Sequence, residues 1–346
     1  MKVRVYSLLF LVSFCIALLS GGVLYVYGKL NFPAEQKVEV SAAPISFDRN
    51  ATDRIKFGRL IWRGGLVLRS DDKRFGGISG LTIDRQGKHI VGITDNSSWI
   101  KAELVYHGQR LSGINNVMMG PLKGPNKKPF LLPNYQDAEA IVAQEDGFLI
   151  SFERNHRIGK FTSVDGRPDY QNSLIKLPAD SHAMAYNGGI EALASIAGGP
   201  RKGQLVVFSE SLLDSDKQHI RGWLLDGNKS ENLYLKAMGG FSVTEVASLD
   251  NGALLFLERR YTRQDGVSMR IRLVKSNEIK PNARLVGEIL LEADTEFQID
   301  NMEGLAVHKN NQGQSIITLV SDDNFSNRQR TLVLQFELGQ TVPNAD

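Results

Sequence analysis

Five stretches of the chain place a carboxylate or a hydroxyl at the head of one apolar run and an acid at the tail of the next. They are Ser79 with Asp95, Glu139 with Glu153, Glu191 with Glu210, Glu245 with Glu258, and Glu303 with Asp322 or Asp323. Carboxylates gathered in one place cannot all stay ionised and unpaired. They need cations. Arg154, His156, Arg157, Arg259, Arg260 and Arg328 follow the run ends and can supply some. A hard divalent ion, Ca²⁺ above all, can supply the rest, because oxygen-only ligands suit Ca²⁺ or Mg²⁺. His156, close to Glu153, is the histidine to keep, as an acid/base group or a phosphate contact; His182, in the loop before Glu191, comes second. The structural alternative is that each acid pairs with a neighbouring arginine or caps backbone amides, and only holds the fold together.

Other motifs carry less. Gly77-Ile78-Ser79-Gly80 resembles a nucleophile elbow only superficially, since the second glycine is one residue early and no helix follows. Ser79 reads instead as a small residue standing where the other repeats carry Glu. Ser70-Asp71-Asp72-Lys73 fits Ser-x-x-Lys but falls between strands. The six histidines show no zinc spacing, and there is no P-loop or dinucleotide fingerprint.

The elements that must position these groups are hairpins. In Asp137–Phe161 the apolar run Ala140–Ala143 is followed by the turn Glu145-Asp146-Gly147 and a second run, Phe148–Phe152. The first strand of an antiparallel hairpin starts beside the end of the second, so Glu139 and Glu153 emerge together. The unit recurs with starts at 79, 139, 191, 245 and 303, separated by 60, 52, 54 and 58 residues. That pitch suits four short strands, the blade of an all-β propeller. Five repeats are visible, and five or six antiparallel blades fit the length. Residues 54–62 and 66–69 read as strands before the first repeat, and 330–338 as a last strand. An N-terminal strand would complete the final blade and close the ring. Two long loops, 120–133 and 180–189, are placed to border a site. In a propeller the first strand of each blade lines the central channel, so the paired acids would ring one mouth.

Composition narrows the class. Lys2, Arg4 and Lys29 are three of the 41 basic residues, and residues 1–29 hold no acid; the remaining 38 basic residues meet 38 acidic ones. A neutral body argues against a nucleic-acid surface. Val5–Tyr27 runs 23 residues without a charge. It reads as an export signal or an uncleaved anchor long enough to span a bilayer, giving a periplasmic protein that is either soluble or tethered to the inner membrane. Residues 1–28 form this leader, 29–47 a linker, 48–338 the propeller and 339–346 a tail. The single cysteine, Cys15, lies in the leader, so the body has no disulfide, thiol nucleophile or cysteine ligand.

Several of these motifs resemble the bacterial phytase-like family, labelled for an esterase-like activity. They are Arg69-Ser70-Asp71-Asp72 with Phe75-Gly76-Gly77-Ile78-Ser79-Gly80-Leu81, Asp137-Ala138-Glu139-Ala140-Ile141, Gly189-Ile190-Glu191-Ala192-Leu193, and Asn301-Met302-Glu303-Gly304-Leu305 with Ser321-Asp322-Asp323-Asn324-Phe325. The resemblance covers residues 50–338 and implies a propeller with a phosphoester hydrolase role resting on recurring acids. Glu139, Glu191 and Glu303 match the family pattern, whereas Ser79 and Glu245 depart from it. The expectation is a monomeric, metal-assisted hydrolase of a small phosphomonoester or phosphodiester. Glu139, Glu153 and His156 would be catalytic, and Arg154, Arg157 and Arg259 would clamp the phosphate. Glu191, Glu245, Glu303, Asp322 and Asp95 would hold Ca²⁺. Two alternatives stand beside it: a lactonase or esterase on a Ca²⁺-bearing propeller, and a non-catalytic propeller that binds a partner in the cell envelope.

Overall fold

A hairpin strand with no alternation of polar and apolar residues must be covered on both faces. Gly147–Phe152 and Ser315–Asp322 are buried at every position. In the computed structural model, which describes residues 34–339, neighbouring sheets supply that cover. Val5–Tyr27 with Cys15, and the tail beyond Gly339, lie outside the described residues.

There are five blades, sheets of five, four, five, four and six strands, each built on four antiparallel strands with short edge strands added; the edge strand Arg284–Leu285 of the third runs parallel to its neighbour. Their inner strands are Ile78–Ile83, Ala138–Gln144, Ile190–Ser195, Ser242–Ser248 and Asn301–Lys309. Each inner strand packs on the next, and the fifth packs on the first, so the ring closes with five blades, not six. The apolar core is divided accordingly into five clusters, one per junction. Trp99, Ile141 and Phe152 join blades one and two; Leu149, Leu193 and Trp223 join two and three. Phe208 and Phe256 join three and four, Leu255 and Phe336 four and five, Val320 and Ile90 five and one. Burying one such side chain is worth about 1.5–3 kcal/mol, and each blade takes part in two clusters.

Closure is by strand exchange between the chain ends. Thr331–Leu338 pairs antiparallel with Leu60–Arg69, which completes the fifth blade. The two early strands expected at 54–62 and 66–69 are a short Lys56–Phe57 and one continuous Leu60–Arg69. Part of the expected linker is also strand. Gln36–Lys37 lies on the outer edge of blade one, and Ser41–Ile45 on that of blade five, so the segment bridges the closing junction. Its small residues and Pro44 suit an edge strand, where one side of the ladder is free and no buried face imposes a pattern. No helix among the described residues is long and apolar enough to cross a membrane.

Candidate active site

Every inner strand carries the same irregularity near its start: one extra residue relative to its partner strand. The pairs flanking it are Ile78/Thr94 and Gly80/Ile93 in blade one, and Ala138/Phe152 and Ile141/Ile150 in blade two. Blades three to five repeat it at Ile190/Ser209, Val243/Glu258 and Met302/Ser321. A bulge re-aims the residue it adds. Ser79, Glu139, Glu191, Thr244 and Glu303 stand at the bulge, and Asp95, Glu153, Glu210, Arg259 and Asp322 follow the paired residues Thr94, Phe152, Ser209, Glu258 and Ser321 on the second strands. Two residues before each bulge come Gly77, Asp137, Gly189, Ser242 and Asn301. These three tiers of five form the mouth.

The mouth gathers eight carboxylates: Asp95, Asp137, Glu139, Glu153, Glu191, Glu210, Glu303 and Asp322. Burial pushes all eight above the usual carboxylate range. Asp95 rises to about 9 from burial and the charges of Asp322, Glu303 and Asp137. Glu303 rises to about 8 and Asp322 to about 6, again by burial first and neighbouring acids second. Glu139 and Glu191 are surrounded by protein and by other acids, which raises both strongly. Two arginines meet the ring. Arg259 Nη2 lies 3.6 Å from Glu303 and 4.0 Å from Glu210, and Arg154 Nε lies 2.7 Å from Asp137. Asn301 donates to Glu303 at 2.7 Å and to Asp322 at 3.4 Å. Oxygens of Asp95, Glu303 and Asp322 lie within 4.8 Å of one another, as do those of Asp137, Glu139 and Glu153.

The two expected loops meet over blade two. Tyr186 donates its hydroxyl to Asn134 at 2.8 Å, and His156 Nε2 lies 2.9 Å from the Ala185 carbonyl. A carbonyl only accepts, so Nε2 carries the proton and Nδ1 is left as a buried lone pair without a partner. Burial lowers the pKa of His156. Its ring fills the space where a side chain at Gly189 would be: a Cβ there would lie 2.7 Å from His156 Nδ1 and 3.0 Å from Glu153 Cγ. The Gly189 amide in turn donates to Glu153 Oε1 at 3.3 Å. His156 and Glu153 are thus brought together at the mouth.

Other expected site residues are not brought there. Arg157 is buried against Phe152, 3.8 Å from the ring centroid, and donates to the Tyr135 and Asn155 carbonyls. It anchors a loop and does not face the ring. Glu245 is one position past the bulge, and a one-residue offset turns a strand side chain to the opposite face. It is 1 % exposed, accepts from the Leu193 and Val246 amides at 3.1 and 2.9 Å, and lies between the inner strands of blades three and four. Its partner by sequence, Glu258, is spent on a fully buried ion pair with Arg272 at 2.6 Å. Blade four therefore offers Thr244 and Arg259 where its neighbours offer acids. Aligning the repeats on the apolar residue before the bulge, Ile78, Ala138, Ile190, Val243 and Met302, would have found Thr244; aligning on glutamate hid it. Asp137 and Asn301 were also missed as site members, whereas Glu210, expected opposite Glu191, stands at the mouth. Ser79 and Thr244 donate their hydroxyls to the Ala138 and Met302 carbonyls of the next inner strand, so both act as staples between blades.

The sequence model of one protein family, described as phytase-like with the esterase-like activity of phytase, matches residues 73–325, well over half of the chain. No curated protein sequence matches. Among solved structures, the chain is similar to the β-propeller domain of Cps50 (Swd1) from Myceliophteria thermophila, at 8% identity over 87% of this chain and 99% of that one. The TM-score is 0.34, a likeness too distant to bear on the site.

Proposed function

The chain belongs to this phytase-like family, and from that premise we propose that the mouth is a hydrolytic site for phosphoesters that works with a divalent cation. One observation carries the reading: eight carboxylates, each buried or half-buried, gather with two arginines. The donor set fits a hard ion. Oxygens across a calcium ion lie roughly 5 Å apart, twice a bond of about 2.3–2.6 Å, and Asp95, Glu303 and Asp322 fall within 4.8 Å. These three would hold it, with Glu191 beside them, and the ion would supply positive charge where phosphate oxygens come to rest. Arg259 is the guanidinium placed to take one of those oxygens. Glu139, whose hold on its proton is strengthened by burial and its acidic neighbours, can give a proton to the leaving oxygen. Glu153, oriented by the Gly189 amide, can take one from a water.

His156 supports a second reading. Its unpartnered Nδ1 lone pair beside Glu153 suits a general base for a lactone or carboxylic ester on the same cation-holding ring. Both readings put the chain outside the cytoplasm as a monomer, with Val5–Tyr27 as signal or tether. The test is a screen of the purified full chain against phosphomonoesters, phosphodiesters and lactones, each with Ca²⁺ and with chelator. Turnover of a phosphoester that needs the cation and is lost in Glu139→Gln supports the proposal. Undiminished turnover in chelator or in that variant overturns it.

A further inference from the structure

The second tier of blade one lacks a side chain. Asn301 and Asp137 occupy the matching positions in blades five and two, and both point into the mouth, since Asn301 bonds Glu303 and Asp322 and Asp137 clusters with Glu139 and Glu153. At Gly77 the space belongs instead to Phe325, from the loop that ends blade five's second strand. A Cβ on Gly77 would lie 2.2 Å from Phe325 Cε2 and 2.5 Å from Cζ. The aromatic ring therefore rests on the glycine, whose carbonyl accepts from the Asp95 amide at 3.1 Å, and Phe325 is still 41 % exposed.

The backbone that puts it there is strained. Asn324 and Phe325 have φ of 48° and 49°. The left-handed region is uncommon for a non-glycine residue and worst tolerated by bulky ones. Two neighbouring acids hold the strain in place: Asp322 accepts from the Asn324 amide at 2.7 Å, and Asp323 accepts from the amides of Phe325 and Gly77 at 3.0 and 2.9 Å. An apolar ring held half-exposed over a glycine gains little from burial there. Its open face is a platform. Tyr186 and Tyr135 are exposed aromatics on the two loops that meet over blade two.

We infer that Phe325 is the substrate platform of the ring, and that the substrate is a phosphoester carrying a flat aromatic group that lies on it. The inference rests on the mouth being a phosphoester site. The test separates the two. Binding of phenylphosphonate and of methylphosphonate, neither of which carries an ester bond to cleave, is measured by calorimetry on the full chain with Ca²⁺, alongside hydrolysis of phenyl phosphate. The wild type should prefer the phenyl probe by about tenfold, the scale of one good aromatic contact. Phe325→Ala should lose that preference while keeping its methylphosphonate affinity, and Phe325→Tyr should keep it. Equal affinity for the two probes, or no binding of either, overturns the inference. So does an equal loss for both probes in Phe325→Ala with a lowered melting temperature, which is what a purely structural cover would give. A phenyl preference that depends on Phe325 without hydrolysis of phenyl phosphate leaves the platform standing and counts against hydrolysis of that ester at the mouth.

Discussion

Two glutamates one residue apart in pattern have opposite fates. Glu303 stands at a bulge and faces the mouth; Glu245 stands one place beyond its bulge and faces the protein. Burial raises the pKa of the Glu245 carboxyl, and its Oε1 serves two amides. Glu245→Gln preserves that acceptor and should change stability by less than about 1 kcal/mol, whereas Glu245→Ala orphans buried amides at about 1–3 kcal/mol. Neither should alter Ca²⁺ affinity, while Glu303→Gln should abolish it; denaturant melts and cation titrations on the three variants check this. The ring also fixes a pH response. Its acids titrate near 4 when unfolded and higher when folded, up to about 9 for Asp95. Between those limits the folded state holds more protons, so stability falls as pH rises. In chelator the melting temperature should decline from about pH 5 to about pH 9, and Ca²⁺ should flatten the decline by standing in for the protons. A melting temperature that climbs over that range in chelator would count against raised carboxylates.

At the scale of the element, the hairpins and their pitch were legible because glycine turns and apolar runs are local signals, and they placed Glu139 beside Glu153 correctly. The bulges were not legible. An inserted residue shifts side chains without changing composition, so Thr244-Glu245 in the chain says nothing of which one turns inward. Arg157 was misread for a related reason: a basic residue at a strand end is equally suited to a phosphate or to the face of Phe152, and only packing against Phe130 and Tyr135 decides. The edge strand Ser41–Ile45 escaped notice because an edge needs no apolar alternation. Glycine at the second tier has a sharper consequence. Gly189→Ala would press on both His156 and Glu153 from a junction that otherwise keeps its packing. Turnover should fall by about tenfold or more, since small misplacements of reacting groups are expensive, with little change in melting temperature. Wild-type turnover in this variant would show that the His156–Glu153 arrangement is not part of the chemistry.

For the whole molecule, five clusters at five junctions mean that no blade owns its core. Phe336 is fully buried on the closing strand, 4.9 Å from Phe47 and 5.0 Å from Trp62 between ring centroids. Phe336→Ala should cost about 3–5 kcal/mol and lower one cooperative transition, as calorimetry would show; two separated transitions would mean that blades melt independently. The mouth likewise belongs to no single blade, because Asp95 comes from the first, Glu303 and Asp322 from the fifth and Arg259 from the fourth. Its charge deficit is a property of the closed ring, and a titration reads it most directly. Ca²⁺ is added to the chelator-stripped full chain near pH 7 in buffers of differing ionisation enthalpy, for the wild type and for Glu303→Gln. The expected result is binding that releases at least one proton and disappears in the variant. Binding with no proton release, or no binding at millimolar Ca²⁺, would contradict a ring whose buried acids hold protons until a cation replaces them.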